Sequence, residues 1–242
     1  MKVVSPLAAS AALGWVYTFE TTVAATGPIE AGVLRRDLVI TGTGDPSIGG
    51  RAGTDFHGAL IAALRERQIT RIEGRVVGND DLVEEPRRGL AWSWDDLGVT
   101  SGVVAGALNL GENVTRITIY PGSAPGAAPS ITSATDTPEL AVINRGGTTA
   151  AESALTLWAE QRPGETGLTL AGTIPVGSMP FRMPVAVGNP TAWFARVVRT
   201  RLIVAGIAVQ GDAVDVDDLP QPPAPSTLLL SHRSRPFGEI VV

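Results

Sequence analysis

A glycine-rich segment near the N-terminus constrains the fold of this chain most strongly. Residues 32–50 read GVLRRDLVITGTGDPSIGG. The apolar and β-branched residues between Val33 and Ile40 predict a strand or one limb of a hairpin. The glycines and the Asp-Pro turn that follow predict a sharp change of chain direction. Glycine-rich loops after strands also hold nucleotides, but a dinucleotide fingerprint beginning at Gly42 would need glycine at Ser47, and no Lys-Ser/Thr pair follows. We therefore interpret this loop as structural.

The periodicity of apolar residues along the chain predicts a β-rich α+β fold with three helices. The predicted helices cover residues 3–13, 55–68 and 191–206, and residues 236–242 resemble the first turn of another. A loop is predicted at 121–137, and acidic stretches at 80–81, 84–85 and 212–218 are interpreted as solvated turns. No capping residue precedes the first helix, so the sequence is expected to begin and end within helices. The predicted strands cover residues 17–25, 69–77, 113–120, 140–144, 154–158, 168–174, 183–187, 207–210 and 228–230.

The composition excludes several classes of function. The 242 residues, 44% of them hydrophobic, suffice for one large domain or two small ones. The formal net charge of −5 and the lack of a basic cluster argue against nucleic-acid binding. No cysteine is present for a disulfide or a thiolate zinc site, and no run of about 18 apolar residues predicts a membrane-spanning helix. No signal peptide is predicted either, because Ser5-Pro6 interrupts the apolar run and no convincing cleavage site follows.

The residues alone do not supply a complete catalytic set. Neither His57 nor His232 has the spacing of a metal ligand pair, and no Gly-x-Ser-x-Gly motif occurs. We expect His57 on a helix surface or half-buried, and His232 in a loop. The Asp95-Asp96 pair beside Trp92 and Trp94 has two interpretations that stay open: an amine-binding site, or a loop held by two buried indoles.

Lys2 is the only lysine among the 19 basic residues. Lysine can lose its proton and act as a base, whereas arginine cannot readily do so. However, Met-Lys is also an ordinary start of a reading frame. A functional role and a trivial one therefore both stay open for Lys2.

Ten blocks along the chain resemble one enzyme family, the serine D-Ala-D-Ala carboxypeptidases/endopeptidases (class C low-molecular-mass penicillin-binding proteins). Two of them are Gly-Val-Leu-x-x-Asp-Leu-Val-Ile-x-Gly-x-Gly-Asp-Pro and Trp-x-Trp-Asp-Asp-Leu. Their order and spacing make chance an unlikely explanation. The blocks lie at residues 1–4, 17–21, 32–46, 73–80, 92–97, 107–114, 172–175, 189–195, 206–211 and 234–240.

The resemblance implies serine acyl transfer on peptidoglycan stem peptides, without metal or cofactor. Lys2 matches the lysine of the family's Ser-x-x-Lys motif, which takes the proton of the nucleophilic serine one helical turn earlier. That serine would lie three positions before Lys2, and the later Ser-x-Asn and Lys-Thr-Gly motifs would lie beyond Val242. Asp96 matches an acidic residue that helps to hold the free amine of the stem peptide's diamino acid. The full-length enzyme would bind β-lactams, whereas this chain alone would be inactive.

The resemblance also implies a domain organisation and a location. Residues 1–20 and 231–242 would belong to a transpeptidase-like catalytic domain, of which only the edges are present. Residues 21–43 with 118–230, and residues 44–117, would form two inserted accessory domains. The protein would be periplasmic or otherwise extracytoplasmic.

Two residues depart from the family's pattern near the implied active site. Pro6 could kink the active-site helix, and Ser101 replaces an aromatic residue common in the family. The alternative is a non-catalytic β-rich module that binds cell-wall peptide or a protein partner.

Overall fold

The computed structural model describes residues 3–50, 53–83, 97–98, 100–133, 140–161, 167–224 and 226–241. Within these residues the chain is α+β and rich in strands, as the sequence predicts. The chain divides into two compact units. Unit 1 comprises Met1–Glu84, Ala105–Glu112 and Pro190–Val242, and unit 2 comprises Glu85–Val104 and Asn113–Asn189.

The elements follow one another along the chain in three groups. Unit 1 begins with α1 (Val4–Leu13), β1 (Glu20–Ala25), β2 (Ile29–Glu30), β3 (Val33–Leu34), β4 (Leu38–Thr41), α2 (Phe56–Glu66), β5 (Arg71–Ile72) and β6 (Val76–Asn79). Unit 2 contains β7 (Val114–Tyr120), β8 (Ser130–Ser133), β9 (Val142–Asn144), β10 (Gly147–Thr149), β11 (Trp158–Glu160), β12 (Leu168–Ala171), β13 (Thr173–Pro175) and β14 (Phe181–Ala186). The chain then returns to unit 1 with α3 (Pro190–Val204), β15 (Ala208–Val209), β16 (Ala213–Asp215), β17 (Thr227–Arg233) and α4 (Phe237–Ile240).

Unit 1 is built on a five-stranded sheet with the strand order β16-β6-β4-β1-β17. β1 is antiparallel to β4 and β17, whereas β4 and β16 run parallel to β6. α3 packs on β6 and β16, and its Phe194 meets Phe56 of α2 with 5.4 Å between ring centroids. α2 begins where the Asp55 carboxylate caps it by accepting a hydrogen bond from Gly58 N at 2.9 Å. A second sheet has the order β15-β5-β3-β2.

Unit 2 contains three small sheets, with the orders β14-β7-β8, β11-β12-β9 and β10-β13. β7 alternates buried and exposed residues in its second half, because Ile117 and Ile119 face the core while Arg116 and Tyr120 face solvent. The core of this unit is aliphatic. Its buried residues include Ile117, Ile119, Leu168, Leu170, Ile174 and Val185.

The structure confirms the three predicted helices and corrects several predicted strands. β8 lies within the predicted loop 121–137, where pairing with β7 stabilises a Ser/Thr-rich sequence that alone resembles a turn. The predicted strand at 154–158 is not regular, and β11 begins only at Trp158. β16 lies in the acidic stretch interpreted as a solvated turn, because it completes the sheet beside β6.

The sheet of unit 1 joins segments that the sequence analysis assigns to different domains. β6 lies in the segment 44–117, which the sequence assigns to a separate domain, yet it pairs with β4 of segment 21–43. Hydrogen bonding across the sheet joins these segments in unit 1. The assignment of segments to catalytic and accessory domains of the family stays a prediction.

We expect Asp37→Ala to lower the free energy of unfolding by about 2 kcal/mol, because Asp37 joins the starts of β4 and β6 with charge-assisted bonds. Its carboxylate accepts bonds from Arg75 N at 2.7 Å and from Arg75 Nη2 at 3.0 Å, and its side chain is 13% exposed. Urea unfolding measures the change. Glu30→Ala is the matched control, since the Glu30–Arg35 ion pair is exposed and surface pairs contribute little. Equal losses for the two variants would contradict the prediction.

Candidate functional site

The two residues to which the resemblance gives functional roles lie outside the described part of the structure. Lys2 immediately precedes the first described residue, and Asp96 lies in the undescribed segment 84–96 together with Trp92 and Trp94. Their roles therefore stay predictions. The described residues that follow α1 in sequence contact the described residues near the other end of the chain.

α1, the helix that follows Lys2, has no buried residue although it is mostly apolar. Val4 is 68% exposed and Leu7 is 56% exposed. The N-cap of α1 is Val3, which makes no side-chain capping bond. Pro6 lies in the first turn of α1, where backbone N–H groups have no partner within the helix, so proline is tolerated there.

The residues that follow α1 contact residues 237–238, near the C-terminal end of the chain. Phe237 N donates to Tyr17 O at 2.7 Å, and Gly238 N donates to Trp15 O at 2.9 Å. The rings of Trp15 and Phe237 also meet, with 6.4 Å between centroids. Unit 1 therefore brings together two segments that lie more than 200 residues apart in sequence.

Ser234 completes this contact between the chain ends. Its backbone N–H donates to Phe19 O at 2.9 Å, and its hydroxyl accepts from Phe19 N at 3.0 Å. Ser234 is also buried. The segment that the resemblance places before Ser-x-Asn is thus fixed beside the segment that follows Ser-x-x-Lys.

The glycine-rich loop packs closely against residues 105–111, which supports its structural interpretation. Gly44 N donates to Ala107 O at 2.8 Å, and Gly111 N donates to Ile48 O at 2.8 Å. A Cβ atom on Gly42 would lie 2.0 Å from Ala107 O. Glycine is required here because two backbones approach each other, not because a phosphate binds.

A buried carboxylate lies within this loop. Asp45 is 1% exposed, and its Oδ1 accepts hydrogen bonds from Ser47 N at 2.8 Å and from Ser47 Oγ at 2.6 Å. Its Oδ2 is buried and has no hydrogen-bond partner among the described residues. Buried carboxylate oxygens are rarely left in this state, so Oδ2 is an acceptor available to a nearby donor.

His232 lies beside this loop, in β17 and not in the predicted loop, because it pairs with Thr21 of β1. Its Nε2 is 2.5 Å from Thr54 Oγ1, and its ring meets Phe56 edge-on at 5.4 Å. Burial lowers the pKa of His232 below its ordinary value, although the charges of Asp45 and Asp55 act in the opposite direction.

The other histidine also differs from its prediction. His57 is buried, and its ring stacks on Phe194 with 6.3 Å between centroids. The helical pattern in the sequence predicts that His57 lies on the helix surface or is half-buried. The packing of α3 against α2 covers it.

Three carboxylates in unit 1 form the group of described residues that could hold a metal ion. The carboxylate oxygens of Asp80, Asp215 and Asp217 lie within 4.8 Å of one another. Asp80 and Asp215 are buried, so their interpretation as solvated turn residues is wrong. The Thr191 hydroxyl donates to Asp80, which links α3 to the end of β6. Acidic groups often cluster without an ion, and we assign this group no function.

Unit 2 contains a small cleft between β8 and β9. Its volume is about 230 Å³, which is below the range of about 300–1,000 Å³ of most small-molecule sites. The lining residues are Pro129, Ser130, Ile131, Ser133, Leu140, Val142 and Asn144. Among the described helices, none has the length and apolar character needed to cross a membrane.

Comparison with known proteins gives consistent matches over the whole chain. The profile of the D-Ala-D-Ala carboxypeptidase 3 (S13) family matches residues 1–242. The chain is 26% identical over 245 residues to the D-alanyl-D-alanine carboxypeptidase DacB of Haemophilus influenzae, covering 99% of this chain and 48% of that protein. It is 25% identical over 249 residues to the D-alanyl-D-alanine carboxypeptidase of an Actinomadura strain, covering 100% of this chain and 45% of that protein.

Solved structures give the same result. The crystal structure of penicillin binding protein 4 (dacB) from Haemophilus influenzae matches with a TM-score of 0.79 and 27% identity, over 99% of this chain and 51% of the matched chain. A structure of the same protein complexed with a β-lactam matches in fold with a TM-score of 0.69. The chain spans about half the length of the relatives it matches. These matches confirm the family resemblance seen in the sequence.

Proposed function

The chain belongs to the D-Ala-D-Ala carboxypeptidase 3 (S13) family, and we propose that it forms part of a serine D-Ala-D-Ala carboxypeptidase/endopeptidase. The proposed substrates are peptidoglycan stem peptides, and the proposed location is periplasmic or otherwise extracytoplasmic. The observation that carries this proposal is the family match over the full 242 residues. The two curated relatives are both named D-alanyl-D-alanine carboxypeptidases.

In this proposal Lys2 is the general base of a Ser-x-x-Lys motif. The serine, three positions earlier, would attack the carbonyl carbon of the D-Ala-D-Ala amide, and its proton would pass to the Lys2 amine. That proton would pass on to the amide nitrogen, which would leave as the amine of free D-alanine, and water would then hydrolyse the acyl-enzyme. Asp96 would hold the free amine of the diamino acid by charge attraction.

The exposure of α1 supports the proposal that further protein packs against it. Exposed contiguous apolar surface commonly marks an interaction site. Val4, Leu7 and Leu13 of α1, and Trp15 beyond it, are exposed. In the proposal this surface is covered by the remaining part of a catalytic domain, so the 242-residue chain is inactive by itself.

The contact between the chain ends also supports this proposal. Residues 15–19 lie against residues 234–238, so the end of the Ser-x-x-Lys helix and the approach to Ser-x-Asn would be held on one side of unit 1. A catalytic serine, its lysine base and a second serine must meet within hydrogen-bond reach in such an enzyme.

Covalent labelling with a fluorescent penicillin tests the proposal. We expect no labelling of the 242-residue chain, and labelling of a protein extended at both ends by its own flanking sequence. The reading frame should encode a serine three codons before Lys2. A heat-denatured sample and competition by unlabelled penicillin are the controls for specific acylation. The relative of known structure that was crystallised with a β-lactam provides a positive control.

Two results would contradict the proposal. Labelling of the 242-residue chain alone would show that the site does not need further protein. Absence of labelling in a folded extended protein would favour the alternative, a non-catalytic β-rich module that binds cell-wall peptide or a protein partner.

A further inference from the structure

We propose that Ser234 is a positioning residue for the proposed acyl transfer. Its buried hydroxyl joins the backbone that follows the Ser-x-x-Lys helix to the backbone that leads toward Ser-x-Asn. Ser234 would not touch the substrate, and would act through the two segments that carry the reacting side chains. This role rests on the proposed function, because the family resemblance is what assigns the two motifs to the neighbouring sequence.

The Ser234 hydroxyl bonds to two backbone groups at once. Its Oγ accepts a hydrogen bond from Phe19 N at 3.0 Å and donates one to Arg235 O at 2.7 Å. Ser234 is 6% exposed, so water competes little for these bonds. Its backbone N–H also donates to Phe19 O at 2.9 Å. Three hydrogen bonds therefore meet at one residue, directly after β17 ends.

The placement of α1 within the described chain depends on this contact. α1 has no buried residue, so packing along its own length does not fix it. Gly14 follows α1 at φ +83°, a left-handed conformation that suits glycine, and the chain turns there into residues 15–19. Those residues are bonded to residues 234–238. The orientation of the helix that follows Lys2 therefore depends on how firmly residues 15–19 are held.

The segment after Ser234 is held by the same contact. Phe237 N donates to Tyr17 O at 2.7 Å, and Gly238 N donates to Trp15 O at 2.9 Å. α4 begins at Phe237, and the chain continues from α4 toward the position at which the resemblance puts Ser-x-Asn. The Ser234 hydroxyl lies at the start of this series of bonds and thus helps to set the position of one segment relative to the other.

Small displacements matter for the proposed reaction, because a misplacement of about 1 Å caused by a remote change can lower a rate about 10²-fold. Ser234→Ala keeps the backbone bond to Phe19 O, so the two segments should stay adjacent and the variant should fold. It removes the hydroxyl from Phe19 N and Arg235 O, so the segments would be held less rigidly. We expect acylation to slow about 10-fold.

Rapid-quench labelling of the extended protein at several penicillin concentrations tests this expectation. The half-saturating concentration reports the non-covalent binding of penicillin, and the plateau reports the acylation rate constant. A residue that positions the reacting groups affects the acylation rate constant and not the preceding binding. Ser234→Ala should therefore lower the plateau about 10-fold and leave the half-saturating concentration unchanged.

Thr26→Val is the matched control. Thr26 Oγ1 also bonds to two backbone groups, since it accepts from Asp37 N at 3.0 Å and donates to Asp37 O at 3.2 Å. Thr26 directly follows β1, whereas Phe19 directly precedes it. Both variants should lower the midpoint of urea unfolding by similar amounts, but only Ser234→Ala should slow acylation. Equal acylation rate constants in the two variants would overturn the positioning role.

Amide hydrogen exchange in the 242-residue chain tests the Ser234 bond without relying on the proposed function. Ser234→Ala should speed exchange of Phe19 N–H about 10-fold, the equivalent of one hydrogen bond, and Thr26→Val should not. Unchanged exchange at Phe19 would overturn the positioning role. An unsubstituted extended protein that penicillin does not acylate would overturn the proposed function, and the positioning role with it. Acylation of the unsubstituted protein and of Ser234→Ala at the same rate would overturn the positioning role alone.

Discussion

Replacing Lys2 with alanine in a protein extended at both ends is expected to slow acylation by penicillin about 10³-fold, the usual contribution of a general base. In the proposed mechanism the serine is a weak nucleophile until an amine takes its proton. Alanine leaves no group to accept that proton. Stopped-flow or quenched labelling with penicillin measures the acylation rate directly, and thermal unfolding of the same sample shows that the variant is folded.

Lys2→Arg distinguishes a proton acceptor from a positive charge. Arginine keeps the charge but stays protonated at neutral pH, so this variant should be nearly as slow as Lys2→Ala. Arg196→Ala, an exposed change on α3, should leave the rate unchanged. Acylation of Lys2→Ala at the unsubstituted rate would show that Lys2 is not the base, and would leave it as the second residue of an ordinary start.

Gly42→Ala is expected to lower the free energy of unfolding of the 242-residue chain by about 3 kcal/mol or more, because it places a methyl group where a backbone already lies. The added Cβ atom would be 2.0 Å from Ala107 O and 2.6 Å from Ala107 C. A backbone carbonyl cannot turn aside as a flexible side chain can. Relief would require the glycine-rich loop to separate from residues 105–111 and would break the bond between Gly44 N and Ala107 O.

Urea unfolding followed by tryptophan fluorescence measures this effect. Gly147→Ala is the matched control, because the nearest atom to its added Cβ would be 3.9 Å away and it should change the stability by no more than about 0.5 kcal/mol. A Gly42→Ala variant as stable as the unsubstituted chain would mean that the loop and residues 105–111 are not in close contact in solution.

The local parts of the fold could be predicted from the sequence. α2 has an aspartate cap followed by apolar residues at helical spacing, and both signals lie within a dozen residues. The alternation of β7 is equally local. The order of the motif blocks identified the family, because that information needs no knowledge of which segments meet.

The polar interior could not be predicted, because it depends on contacts between distant segments. Asp80 and Asp215 lie far apart in sequence, and only the parallel pairing of β16 with β6 brings them together. His232 has few strand-forming neighbours in sequence, and it is a strand residue because β1 pairs with it. Each of these residues looks solvated when only its immediate neighbours are considered.

The roles of Lys2 and Asp96 could be proposed only by matching motifs. A single lysine near the start of a chain gives no physical sign of a lowered pKa. An Asp-Asp pair between tryptophans suits both an amine site and a packed loop. Penicillin labelling of Lys2 variants is therefore needed to test the role of Lys2. A substitution of Asp96 tests whether this residue binds the free amine of the stem peptide's diamino acid.

The contact between residues 15–19 and 234–238 has a consequence for how such a protein can change over time. The segment from β1 to β17 begins and ends beside this contact. A protein could therefore gain or lose this segment as a single insertion or deletion. Only a short connection would be needed to close the gap, and closing a short gap costs little chain entropy. Insertions with adjacent ends are the ones that proteins tolerate best. Grafting residues 20–233 into an unrelated scaffold between two neighbouring strand ends is therefore a feasible way to study this segment apart from the protein in which it occurs.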